Sequence, residues 1–216
     1  MKNIIVAAFF LACASTAVAQ RSVPIFLNVY GGYTFQDRVD LGYYSGYNNY
    51  GYIKANGQYG AGIECFIAPS RSIELNYQYM GTTAPFYDFQ GQTNSQSDAA
   101  HLHYILIGGN NYLMTGSNAQ PYFGAGIGVG IADFTDYGQH STSLTKFAWN
   151  LRLGVKIKTQ SAISVKLQAY LQSIVQGVGV GVGFGTGGAG AGVTTYSTML
   201  QFGLGGVLSF DLKHKK

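Results

Sequence analysis

The sequence predicts an all-β fold, an eight-stranded antiparallel up-and-down transmembrane β-barrel, and three observations carry that expectation. Oily and wet residues alternate with a period of two in eight segments, no apolar run beyond the N-terminus is long enough for a transmembrane helix, and only 10% of the 216 residues are charged. A period of two marks a strand with one oily face, and roughly 9 to 11 residues let a tilted strand cross a bilayer. The charge content decides which face lies outside. Soluble domains average about 25% charged residues; this chain has too few to coat an aqueous exterior, so its oily face must meet lipid.

The N-terminus reads as a secretory signal over residues 1–19: Lys2 gives a positive end, Ile4 to Leu11 an apolar core, and Ala17-Val18-Ala19 a small-x-small cleavage site before Gln20. The barrel domain is then residues 20–216. A competing reading takes Phe10-Leu11-Ala12-Cys13 as a lipoprotein box with Cys13 lipidated, but Phe is unusual at its first place. With cleavage after Ala19, Cys65 is the remaining cysteine, placed by parity on the oily face as a small hydrophobe with no disulfide partner.

The first strand is read through Leu27, Val29, Gly31, Tyr33 and Phe35, and the second through Ala61, Ile63, Cys65 and Ile67. In the third, Ile73, Leu75, Tyr77 and Tyr79 alternate with Glu74, Asn76 and Gln78. The fourth is assigned an oily face of Leu102, Tyr104 and Leu106, and the fifth runs through Phe123, Ala125, Ile127, Val129 and Ile131. The sixth is the clearest: Phe147, Trp149, Leu151, Leu153, Val155 and Ile157 share one parity, while Lys146, Asn150, Arg152 and Lys156 share the other. The seventh sets Ile163, Val165, Leu167, Ala169 and Leu171 against Ser164, Lys166, Gln168, Tyr170 and Gln172. The eighth carries Leu200, Phe202, Leu204, Leu208, Phe210 and Leu212 with Gln201, Gly203, Gly205, Ser209 and Asp211 between. Many wet-face positions are glycines, among them Gly60, Gly62, Gly124, Gly126 and Gly128, which suits a narrow interior.

Connection lengths alternate. Short links fall at 69–71, 115–118 and 159–161, and long ones near 37–56, 83–100, 133–143 and 173–195. Outer-membrane barrels pair short periplasmic turns with longer external loops, so both termini are expected on the periplasmic side. The tract Gly177 to Gly192 shifts its oily residues from odd to even numbers (Val178, Val180, Val182, Phe184), which a strand cannot do without a bulge or break. It is expected to be a flexible loop, with a bulged hairpin extension as the alternative. The first long connection holds Tyr43, Tyr44, Tyr47, Tyr50 and Tyr52, either an adaptable binding surface or a belt at the bilayer interface.

The signal segment, the eight alternating segments, the turn-and-loop rhythm and the final strand together resemble the small Gram-negative outer-membrane β-barrels of the OmpX, OmpW and OmpA membrane-domain type. The resemblance spans the mature chain and is architectural. Gly205, Leu208 and Phe210 are similar in spacing to the terminal signal that the barrel-assembly machinery recognises, although Gly203 takes a usually polar slot and the tail continues to Lys216. The resemblance implies an outer-membrane location, contact with outer-membrane lipid and with the assembly machinery, and a lumen plugged by polar side chains. No soluble peptidoglycan-binding domain is expected after the last strand.

Wet-face charges are the candidate site. Glu64 and Glu74 flank the first short turn on the second and third strands; Arg152, Lys156 and Lys166 lie on the sixth and seventh, which face them in an eight-strand ring. Isolated charges in a narrow lumen are costly, so these five groups are expected to pair across it. Either a static polar core or a gate for a small conductance would result; a general porin is not expected, since eight strands leave an interior that side chains fill.

The function expected is binding or envelope structure through the surface loops, the protein being a monomer or a subunit of an envelope complex that meets an envelope protein or surface ligand. The alternatives are a narrow channel for small solutes and a lipid-modifying enzyme. For the enzyme, His140, Ser141, Ser143, Asp133 and Asp136 supply ingredients, but Thr142 stands where a resembling deacylase has its serine, so no enzyme is expected. His101 and His103 share a face near Asp98 and are read as interface residues rather than metal ligands. No cofactor is expected. A formal charge of +4 without a basic stripe points away from nucleic acid.

Overall fold

A computed structural model describes residues 23–44, 47–87, 99–114, 116–135, 141–159, 161–175, 180–185, 188–193 and 198–212, with backbone alone for 39–44, 47–50, 86–87, 141–142, 180–185, 188–193 and 198. The signal segment, Cys13 and the basic tail lie outside these residues. Thirteen strands occur among them: β1 (Ile25–Thr34), β2 (Asp37–Tyr44), β3 (Tyr47–Ile53), β4 (Asn56–Ala68), β5 (Arg71–Thr83), β6 (Phe86–Tyr87), β7 (Ala99–Tyr112), β8 (Ala119–Thr135), β9 (Ser141–Lys158), β10 (Ile163–Val175), β11 (Val180–Gly185), β12 (Gly188–Val193) and β13 (Thr198–Asp211).

Eight of them close an antiparallel barrel in the order β1-β13-β10-β9-β8-β7-β5-β4. The closing seam is β1, which pairs with β4 from Ile25↔Cys65 to Thr34↔Asn56 and with β13 from Phe26↔Asp211 to Thr34↔Gly203. Closure is what lipid demands, because a backbone N–H or C=O left unpaired in hydrocarbon costs several kcal/mol and a closed barrel has no edge. Strand lengths of 10 to 18 residues meet or exceed what a bilayer crossing needs. No helix of the described residues is long and apolar enough to cross a membrane.

The parity of each strand then sorts its side chains. Outward positions carry large exposed apolar groups, including Leu75, Ile107, Ile127, Leu151, Leu153 and Leu167, while Asn28, Glu64, Glu74, Arg152, Lys166 and Ser209 are buried. Polar residues outnumber apolar ones among the described buried positions, so the protein is inverted relative to a soluble one. Its outer surface is the oily one.

The fourth sequence segment departs from the sequence reading. Leu102, Tyr104 and Leu106, assigned there to the oily outer face, are fully buried in the lumen, and His101, His103, Ile105 and Ile107 face outward. Both faces of β7 are apolar, so alternation could not set its phase; pairing with β5 and β8 did. These residues join Ile53, Met80, Ala84, Ala100, Ala132, Ala148, Ile174 and Met199 in an apolar cluster at the long-loop end of the lumen.

The described parts of the long connections form further strands. Residues of the first form the hairpin β2–β3, which β6 joins in a separate three-stranded sheet. The third shrinks to residues 136–140 because β8 and β9 pair out to Thr135↔Ser141. In the glycine tract β11 and β12 form their own two-stranded ladder, from Val180↔Val193 to Gly185↔Gly188. That matches the alternative of a hairpin rather than a loop, and it is a break from the barrel: the tract keeps its even-numbered pattern because it no longer shares the register of β10.

Close packing inside the wall fixes several glycines, Gly203 among them. A methyl group on Gly203 would enter the Tyr170 ring, whereas one on the lipid-facing Gly31 would meet nothing within 4 Å. Gly203→Ala is expected to cost about 1–3 kcal/mol through overpacking, and Gly31→Ala to leave stability nearly unchanged. Urea unfolding in lipid vesicles measures both; equal midpoints would contradict this packing.

Candidate functional site

The lumen is built in layers, each dictated by which inward residue a strand offers at that height. Nearest the short turns, which are the periplasmic end by the turn-and-loop rule, Glu64 and Glu74 stand directly opposite one another on β4 and β5. Lys156 and Lys166 stand opposite one another on β9 and β10. Like charges in such cross-strand positions repel, so neither pair is favourable alone. In the eight-membered ring β4 lies across from β9 and β5 across from β10, which brings the acidic wall to face the basic one.

Two ion pairs span the gap. Arg152 Nη1 donates to Glu74 Oε2 at 2.5 Å and Lys166 Nζ to Glu64 Oε2 at 2.6 Å, all four side chains being buried. The remaining lone pairs are taken by neutral donors. Glu64 accepts from Ser72 Oγ (2.5 Å), Tyr112 OH (2.6 Å), Asn110 Nδ2 (2.9 Å) and Asn28 Nδ2 (3.3 Å). Glu74 accepts from Tyr30 OH, from Asn28 Nδ2 at 2.5 Å and from Asn110 Nδ2 at 3.0 Å. Ser209 Oγ in turn donates to Asn28 Oδ1 at 2.6 Å. Buried charges persist only where such hydrogen bonds replace water.

Lys156 departs from the expectation of pairing with a carboxylate. Its Nζ has no hydrogen-bond partner among the described residues and rests 3.8 Å from the Phe26 ring centroid, 4.9 Å from Phe66 and 5.5 Å from Tyr112. Glu64, the acid across from its strand, is already saturated by five donors, so the ring faces supply the amine's surroundings instead. Asp211 lies half-buried at the rim below, in register with Phe26.

Above the charges lies a layer that sequence reasoning missed. Gln58 Nε2 donates to Gln78 Oε1 (2.5 Å) and Gln172 Oε1 (3.1 Å), Gln172 Nε2 to Gln201 Oε1 (3.0 Å), and Tyr104 OH to Gln201 Oε1 (2.8 Å). Thr34 Oγ1 joins through Gln58 and lies 2.9 Å from Tyr170 OH. The apolar cluster closes the stack above it. Gln78, Gln168 and Gln172 share wet-face parity on their strands, so the signal exists in the sequence; which glutamine meets which depends on the ring order. Asn28, Tyr30, Asn110 and Tyr112 carried no such signal, since they lie on strands whose wet faces alternate weakly.

On the outer wall, towards the long-loop end, Tyr77 OH lies 2.8 Å from His103 Nδ1 and Tyr79 OH 2.7 Å from His101 Nδ1. His103 Nε2 is 3.6 Å from Asp133 Oδ2. Amphipathic rings of this kind settle at the bilayer interface. Ser143 faces Asp133 across β8 and β9; His140, Asp136 and Asp98 lie outside the described residues, as does the side chain of Ser141. No group of three or more metal-ligating side chains occurs among the described residues. A trough of about 790 Å3 on the same outer wall is lined mainly by outward-facing Ile73, Phe123, Ala125, Leu151, Leu153 and Phe202, and is a lipid-facing surface. Of the loop tyrosines, Tyr52 is half-buried with Lys54 Nζ 5.6 Å from its ring, while Tyr43, Tyr44, Tyr47 and Tyr50 fall where backbone alone is described.

No protein-family model matches the sequence, and a comparison with curated proteins finds no match. Solved structures do match in shape. Neisserial surface protein A superposes with a TM-score of 0.57 at 12% identity, over 87% of this chain and 97% of that one. The outer membrane protein OprG from Pseudomonas aeruginosa gives 0.55 at 13% identity, over 88% and 97%. These likenesses show the fold: a closed eight-stranded barrel of the small outer-membrane type, whose apolar exterior locates it in an outer membrane.

The pairing makes a stability prediction. Glu74→Ala leaves Arg152 buried without its carboxylate and is expected to cost about 3–5 kcal/mol, whereas Lys156→Met, which keeps the stem volume and loses no hydrogen bond, should cost less than about 1.5 kcal/mol. Urea midpoints of the two variants in the same vesicles check the order; a costlier Lys156→Met would overturn it.

Proposed function

We propose that this outer-membrane barrel is a closed scaffold that works by binding at its external end, its lumen plugged by the polar network rather than open to solutes. The observation that carries the reading is the pair of buried carboxylate–cation contacts joining opposite walls, Glu74 with Arg152 and Glu64 with Lys166. The glutamine layer and the apolar cluster above it support the same reading, because three chemically different layers would all have to part for a solute to pass. The partner is an envelope protein or a surface ligand met by the β2–β3–β6 sheet and the projecting ends of β8 and β9. Outer-membrane lipid surrounds the belt, and the barrel acts as one copy or as a subunit of an envelope complex.

Binding is favoured over catalysis by the order of groups on the outer wall. In the lateral row His101, Asp133, Ser143 the carboxylate stands in the middle. Hydroxyl activation needs the imidazole between hydroxyl and carboxylate, and among the described residues Asp133 separates Ser143 from His101.

Planar-bilayer recordings test the reading. The wild type is expected to be silent, and Glu74→Ala with Arg152→Ala in one chain to give brief small steps as the charged layer is lost. Discrete, frequent steps in the wild type would favour the narrow-channel reading instead.

A further inference from the structure

The external sheet sorts its residues by face as the barrel wall does. Residues directly opposite one another on paired strands share a face, and so do alternate residues along one strand. Ile53 belongs to the apolar cluster that closes the lumen, so its face is the one turned to the barrel. By register that face takes Asp37 opposite Ile53, with Val39 and Phe86 on either side of Gly51. The other face takes Arg38 opposite Tyr52, with Asp40 and Tyr87 on either side of Tyr50. One extra residue on β2 between Asp40 and Tyr43 is taken up as a bulge, after which Tyr43 pairs with Asn48 on this same outer face. Tyr44 and Tyr47, paired at the tip, fall on the barrel-side face.

The partition is chemical as well as geometric. Among the register-paired residues both aliphatic positions, Val39 and Ile53, lie on the barrel side, and the outer face is aromatic or polar throughout. Exposure agrees where side chains are described: Ile53 is buried, Tyr52 half-buried and Arg38 exposed. Two cations stand next to Tyr52, Arg38 across the strand pair and Lys54 with its Nζ 5.6 Å from the ring. The acids of β2 are placed elsewhere: Asp40 is at the Tyr50 step, and Asp37, on the other face, accepts from Leu200 N through Oδ2 at 2.8 Å. The outer face is thus a row of tyrosines with a basic end.

We propose that the outer face of the β2–β3–β6 sheet binds an acidic saccharide, its pyranose rings lying along Tyr50, Tyr52 and Tyr87 and its carboxylate at the Arg38–Lys54 end. This rests on the reading of the barrel as an external binder and names the ligand class of that surface. A pyranose ring has a flat face of C–H groups that packs on an aromatic ring, and a rim of hydroxyls that takes hydrogen bonds, so a saccharide calls for aromatic and polar residues without aliphatic ones. Tyrosine supplies both kinds of contact at low entropic cost. Tyr50 and Tyr52 stand about 7 Å apart along β3, and Asp40 and Asn48 add polar groups beside the row. Charge complementarity selects an acidic sugar over a neutral one, since a guanidinium and an ammonium together suit a carboxylate. A protein partner fits less well, because the centre of a protein interface is apolar and depleted of charge, whereas here charges interleave with the rings.

Trigalacturonate is the probe and maltotriose its uncharged comparison, each added to the protein in lipid nanodiscs and read by saturation-transfer NMR. Transfer to the ring C–H protons of trigalacturonate is expected, with weaker transfer to maltotriose. Tyr50→Ala should abolish both signals. Arg38→Gln with Lys54→Gln in one chain should weaken trigalacturonate binding about tenfold or more and leave maltotriose unchanged. Tyr47→Ala, on the barrel-side face, should leave both as in the wild type. The gel mobility shift of the closed barrel on heating shows that each variant folds. No transfer from the folded wild type, full transfer in Tyr50→Ala, or equal binding of maltotriose overturns the proposal. Such a failure beside a wild type that is silent in bilayer recordings removes the saccharide and leaves the external-binding reading in place, whereas frequent wild-type steps count against that reading itself.

Discussion

The absence of water around a lipid-embedded chain is the constraint from which the rest of this structure follows. With no solvent to satisfy them, backbone groups must pair along the whole of every crossing strand, and the pairing must close on itself. Once β1 joins both β4 and β13, the period-2 geometry of the strand leaves no choice about side chains: alternate residues go to lipid and the others are driven into a narrow tube. The oily set, from Leu75 to Leu167, satisfies the first environment. The tube must then accommodate everything polar.

What the tube accommodates is arranged so that closure and electrostatics depend on each other. Glu64 beside Glu74, and Lys156 beside Lys166, are unfavourable neighbours in any open sheet. Only the closed ring sets the acidic wall against the basic one at contact distance, with Arg152 and Lys166 reaching across. The ion pairs therefore reward the closed barrel over partly paired sheets, and the surrounding hydroxyls and amides extend that selection to β1 and β7, which carry no Asp, Glu, Lys or Arg themselves. Lys156 shows the limit of the device: the lumen has room for two saturated carboxylates, and the third cation is left to aromatic faces.

Layering along the axis gives the two ends different tasks. The periplasmic half is rigidly polar; the outer half passes through glutamines into an apolar cluster to which Ile53 at the end of β3 belongs. That residue ties the external sheet to the barrel interior, as do the bonds of Lys54 N to Thr83 O and of Tyr52 N to Pro85 O. The external sheet thus rises from an anchored base, the arrangement that a binding surface on a rigid scaffold requires.

Much of this was written in the chain. Phe147 to Ile157 alternating with Lys146 to Lys156 fixes a two-faced strand, seven similar segments fix the barrel, and the scarcity of charge fixes the oily face as the outer one, because these depend only on the strand period and on the solvent each face can tolerate. The five lumen charges were legible for the same reason, since inward parity and height can be counted from the turns. What parity cannot encode is the identity of partners. Leu102, Tyr104 and Leu106 went inside because β7, oily on both faces, takes its phase from β5 and β8. Which donor meets Glu64 and why Lys156 meets rings were decided by tertiary structure alone, because contacts across a closed tube join residues as far apart as Glu64 and Lys166, whose distance is set by ring order and not by anything local in the sequence.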